Sequence, residues 1–85
     1  MANTNDITVY QDVWTLVSVA LNGTIENQTG ERIKVNFAAA LPTPSVTTGH
    51  MLDASESAQW AIDSGSVYVR ITDTTIASGT VVIST

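Results

Sequence analysis

Arg32-Ile33-Lys34-Val35-Asn36-Phe37 places an apolar side chain at every second position and a polar one between. A strand sends successive side chains to opposite faces, so Ile33, Val35 and Phe37 face a core while Arg32, Lys34 and Asn36 face out. On a helix the same residues would scatter around the axis. Outward from this stretch, similar runs recur at 6–10, 13–18, 24–28, 67–72 and 80–84, rich in Val, Ile and Thr. Branching at Cβ stiffens χ1 and suits such residues to extended backbone. Between the runs stand turn signals: Asn22-Gly23, Gln28-Thr29-Gly30-Glu31 and Asp63-Ser64-Gly65-Ser66. Short strands punctuated this regularly predict an all-β fold, a small antiparallel β-sandwich (or barrel-like sandwich) of seven to eight short strands.

Several local expectations follow. Asn22-Gly23 tolerates positive φ and reads as a tight turn. Gly30 is expected in the left-handed region of a hairpin, with Glu26 or Glu31 across from Arg32 and Lys34. In Val67–Thr72, Val67, Val69 and Ile71 face in, and Tyr68, Arg70 and Thr72 face out. The 13–17 run carries apolar groups on both faces, as a strand buried on both sides or feeding an interface would.

The 53–63 segment is the one helical temptation. Asp53 and Glu56 have capping-box spacing, and Ala54, Ala58, Ala61 and Ile62 could form a stripe. Gln59-Trp60-Ala61-Ile62 also alternates, which favours a turn at 53–56 and a strand at 57–62. From 38 to 50 no period is visible. Pro42 and Pro44 remove two backbone donors and exclude a central strand. That stretch is a contact loop or a plain crossover between sheets.

Eighty-five residues make one domain, here an arm at 1–5 and a sandwich at 6–85. A domain of this size hides only about 60–65% of the surface its unfolded chain exposes. There is no cysteine and one histidine, so neither disulfides nor a histidine-rich metal site supports it. Oligomerisation or docking on a larger assembly is expected instead. The net charge is −5, with Arg32, Lys34 and Arg70 the only bases. Nucleic-acid binding needs clustered positive charge, which is missing. No apolar run approaches the roughly 18–20 residues of a spanning helix, and membrane binding is not expected. The first residues are polar and carry no secretory pattern, which predicts synthesis in a cytosol. On that basis the acceptor-like Asn22-Gly23-Thr24 and Asn27-Gln28-Thr29 are accidental matches. Thirteen Thr and eight Ser make a surface that loses little side-chain entropy when covered.

Chemistry-bearing patterns are lacking. His50 is the single imidazole, no Gly-x-Ser-x-Gly elbow is present, and the acids sit mainly at turns. A convergent nucleophile, base and orienter cannot be assembled from these. No enzyme activity, cofactor or metal is expected, and His50 is read as a loop or interface residue. Trp14 and Trp60 are read as core residues, although exposed they would form a sugar-stacking platform. Tyr68 and Arg70, two apart on one outward face, form a candidate contact pair. With the 39–50 loop this gives a candidate protein interface of Leu41, Pro42, Thr43, Pro44, His50, Tyr68 and Arg70, joined by the N-terminal arm.

The motifs Val13-Trp14-x-x-Val17, Gly23-Thr24-Ile25-x-Asn27-x-x-Gly30-x-x-Ile33-x-Val35, Ala40-x-Pro42 and Gly65-x-Val67-Tyr68-Val69-Arg70 resemble those of small all-β virion proteins of tailed bacteriophages. The likeness runs from about residue 13 to 83. It implies a head decoration (cement) protein that bridges capsid subunits, with the major capsid protein or another virion protein as partner, a homo-oligomeric state and a place in the virion. Such families have no active-site residues to carry over. The competing expectation is a carbohydrate-binding or host-recognition module of a tail or fibre.

Overall fold

The alternating runs become eight strands in the structure, a computed structural model describing residues 4–72 and 76–85. They are β1 (Thr4–Tyr10), β2 (Thr15–Ser18), β3 (Asn22–Asn27), β4 (Ile33–Ala38), β5 (His50–Leu52), β6 (Ser57–Ala61), β7 (Ser66–Ile71) and β8 (Ser78–Ser84). They form two four-stranded sheets, β1-β8-β3-β6 (sheet A) and β2-β7-β4-β5 (sheet B). Every strand pair is antiparallel. The first strand pairs with the eighth, the second with the seventh, the third with the sixth and the fourth with the fifth. This nesting is the strand order of a jelly roll. The expected sandwich is therefore present.

The core is the inner faces of both sheets: Val9, Ile25, Val81 and Ile83 from sheet A, and Ile33, Val35, Val67, Val69 and Ile71 from sheet B. The decisive stretch behaves as its alternation requires. Ile33 and Val35 are buried and Phe37 packs partly against the core, with Arg32 exposed and Lys34 and Asn36 half-buried. Trp14 and Trp60 are 5% and 6% exposed, so both belong to the interior.

Three expectations change. Asn22-Gly23 is not a turn but the start of β3, paired with Ala61 and Trp60. Glycine is needed at 23 for a different reason: a Cβ there would lie 2.7 Å from both the Trp60 ring and the Ser84 carbonyl oxygen. The indole lies over this bare backbone and donates from Nε1 to the Ala20 carbonyl, 3.1 Å away. Residues 28–32 are not a hairpin either. Gly30 does adopt φ +83°, but β3 and β4 lie in different sheets, so the segment crosses between layers. Arg32 consequently pairs with Asp53 at 2.6 Å. Thirdly, β1 opens at Thr4 and β8 at Ser78, both earlier than their alternation begins. Thr4 and Asn5, expected in an arm, pair with Ser84 and Ile83. The rest of that arm, residues 1–3, and positions 73–75 of the expected 73–79 loop lie outside the described residues.

The 53–63 segment is the expected turn and strand. The Asp53 amide donates to Glu56 Oε1 (2.6 Å) and the Glu56 amide to the Asp53 carbonyl (3.1 Å). Half of a capping box thus forms on a turn that leads into β6 rather than a helix.

Candidate functional site

The long loop between β4 and β5 does not hang free. It folds back across the outer face of sheet B, where alternation places Lys34, Asn36, Tyr68 and Arg70. Arg70 donates from Nη1 to the carbonyls of Pro44 (2.8 Å) and Val46 (3.1 Å). Trp14 Nε1 donates to the same Val46 carbonyl at 2.8 Å. Lys34 Nζ reaches the Thr47 carbonyl at 2.5 Å and Asn36 Nδ2 the Thr48 carbonyl at 2.8 Å. Four side chains thus hold four consecutive-region carbonyls, the ties a loop without ladder bonds needs. Close approach is possible because residue 49 is glycine: a Cβ there would sit 3.0 Å from the Val35 oxygen and 3.2 Å from the Trp14 ring.

This strap reorganises the expected interface. Tyr68 and Arg70 are not an exposed pair; they are 6% and 7% exposed. The second face of β7 looks polar-tolerant in sequence, but the strap roofs it. Arg70 stacks 5.5 Å from the Trp14 ring centroid and lies 3.4 Å from Asp12 Oδ1. Its guanidinium fixes the strap. The strap's own side chains face out: Leu41, Thr43 and Pro44 are exposed and Pro42 is half-buried. His50 is exposed at the start of β5.

A second feature lies on the flank where the two sheets end in β5 and β6. β5 pairs only with Ile33–Val35 of β4, so the Phe37 end of β4 has no neighbour strand on that side. Opposite it, Ala58 and Trp60 of β6 face inward. Between them opens an apolar cleft of about 370 Å³, lined by Ile25, Val35, Phe37, His50, Trp60 and Ile62 among others. The Phe37 and His50 rings meet at its mouth, 5.8 Å between centroids and tilted by 52°. His50 is the one titratable group in the lining, so the cleft holds no acid–base pair. Among the described residues no cluster of three metal-ligating side chains occurs.

The lower end of the same flank is closed by Asn27, a residue with no expected role. It is fully buried. Its Nδ2 lies within bonding distance of three carbonyls, those of Glu31 (2.6 Å), Leu52 (3.1 Å) and Asp53 (3.1 Å). Its Oδ1 accepts from the Thr29 amide (3.0 Å) and hydroxyl (2.7 Å). One amide therefore ties the β3–β4 crossover to the β5–β6 turn. Asn27-x-Thr29 is the spacing that looks like a glycosylation acceptor. In the fold it is the signature of an Asx turn, and the side chain is inaccessible.

Compared with family models, with curated proteins and with solved structures, the chain matches none.

Proposed function

We propose that this chain is a structural module that binds other proteins and performs no bond-making chemistry, and that its place is a tailed-phage particle, as a head decoration protein bridging capsid subunits. The observation that carries the protein-binding part is the pinned strap. Arg70, Trp14, Lys34 and Asn36 fix the strap backbone from Pro44 to Thr48, which holds Pro44 out to solvent, and the exposed Leu41 and Thr43 lead into that fixed stretch. A loop ordered before contact loses little further entropy on binding, which favours affinity. Bridging then stabilises a shell by multivalency, since several contacts must break together.

The particle assignment draws on the motif resemblance and on fold analogy. Jelly rolls occur in viral capsid and lectin domains, and a fold by itself assigns no function. The lectin-like alternative calls for an exposed tryptophan, and both indoles are buried. The test is to mix the purified protein with phage heads lacking it and sediment them. Co-sedimentation at a saturating, lattice-defined ratio, with heads that survive more heat, supports the proposal. Failure to bind heads, with retention on cell-surface glycans instead, overturns it.

A further inference from the structure

Sandwich proteins protect the edges of their sheets, because an unpaired row of N–H and C=O groups invites another strand. Three of the four edges here are protected in recognisable ways. β1 carries Asp6. β2 has four residues and a register shift between Leu16 and Ser18. β5 has three residues. β6 is the exception: Ser57-Ala58-Gln59-Trp60-Ala61 holds no charge and no proline, and its register with β3 runs unbroken.

The phase of its hydrogen bonds is fixed by two flanking bonds on the β3 side. The Asn27 amide donates to the Glu56 carbonyl and the Ile62 amide to the Leu21 carbonyl. Antiparallel pairs alternate between bonded and non-bonded, so Ala58 and Trp60 spend their backbone groups on β3. The N–H and C=O groups of Ser57, Gln59 and Ala61 point away from it, to the open edge. A strand laid there would extend sheet A across the cleft mouth. Its alternate side chains would cover Ala58, which faces inward yet is exposed, and would enclose Phe37 and His50.

Charge selects the occupant. All three bases of the chain, Arg32, Lys34 and Arg70, lie on or beside sheet B. Sheet A has none. β6 is flanked by Glu56 and Asp63, and its neighbour β3 adds Glu26 opposite Ser57. A second copy pairing β6 to β6 about Gln59 would set Asp63 of one copy opposite Ser55 of the other, one position from its Glu56, so each end of the pair would gather two acids and no base. We infer that β6 accepts an extended segment of a partner protein, antiparallel, with small apolar side chains at alternate positions and a Lys or Arg at each end. This rests on the protein-binding reading above and names the chemistry of one partner. It also supplies what bridging requires, a second contact surface apart from the strap.

The test uses the whole chain and the peptide Lys-Val-Thr-Ala-Thr-Val-Thr-Lys, in which Ala meets Trp60 and the two Val flank it. The expected result is saturable binding with slowed hydrogen exchange at the amides of Ser57, Gln59 and Ala61. Gln59→Pro, which removes an edge donor that β3 does not use, should weaken binding by about tenfold or more, as should Glu in place of both peptide lysines. N-methylation of the three peptide residues that face Ser57, Gln59 and Ala61 tests the same bonds without altering the protein, should the proline variant fail to fold. Absence of peptide binding overturns the inference. So does concentration-dependent protection of the same amides in the protein alone, which would identify a second copy as occupant. Head sedimentation separates the two proposals. If Gln59→Pro binds heads as the parent does, the edge inference falls and the structural role stands; if neither binds, the structural role falls.

Discussion

The two ends of the β5–β6 flank are finished in opposite ways. At the turn end, one buried amide, Asn27, gathers three carbonyls and a threonine and locks the two crossovers together. At the other end β5 stops at His50, the sheets part, and Phe37, Ala58 and His50 are left at an apolar opening. The strap repeats the first solution with a different side chain, Arg70, clamping irregular backbone from beneath. The 28–32 crossover and the strap are thus each held by a buried polar side chain. The unfinished part is regular structure, a straight strand beside an apolar gap. The backbone groups left without a neighbouring strand therefore belong to an ordered element.

Substitutions can break this contrast in order of their effect. Asn27→Ala should cost about 3 kcal/mol, or roughly 15 °C in Tm, because several backbone groups lose a buried amide partner at once. Chemical denaturation measures it, and a loss below about 1 kcal/mol would show that the corner is not held by this side chain. Asn27→Asp should be nearly as damaging, since a carboxylate of the same shape cannot donate to three carbonyls. Arg70→Met should cost about 2 kcal/mol and speed amide exchange through residues 44–49, while the exchange of β6 stays unchanged. Phe37→Ala at the open end should cost only about 1 kcal/mol, against the roughly 3–5 kcal/mol typical of a fully buried phenylalanine. A larger loss would mean that the cleft is sealed in solution. Arg32→Ala should change stability by less than about 1 kcal/mol: its ion pair with Asp53 is short, but the two side chains are 54% and 59% exposed, so solvent screens it.

Strand positions were readable because alternation acts locally: Ile33, Val35, Val67, Val69 and Ile71 declare their face without knowing their neighbours. What lies over the other face is a tertiary matter. Tyr68 and Arg70 alternate outward as expected, yet both are buried, Arg70 beneath a loop with no period of its own. Partner strands were equally hidden. Gln28-Thr29-Gly30-Glu31 has hairpin chemistry, yet the same φ +83° at Gly30 serves a crossover between sheets. At Asn22-Gly23 the glycine answers to the indole above it, a demand placed from nearly forty residues away. The Asn27-x-Thr29 spacing was the one signal that could have revealed the corner, as an Asx turn rather than a glycan acceptor.

The nested strand order has a temporal consequence. Sheet B uses residues 15–71 and can assemble once β7 has emerged from the ribosome. Sheet A cannot, because β8 lies between β1 and β3. Until residues 78–84 arrive, β1 has no strand to join, and the inner surface of sheet B stays uncovered. Sheet A therefore closes by a zipping step in which β8 joins the first strand to the third. Loop closure over so long a span is slow, and a chain stalled before β8 would leave uncovered the apolar surface that aggregates most readily.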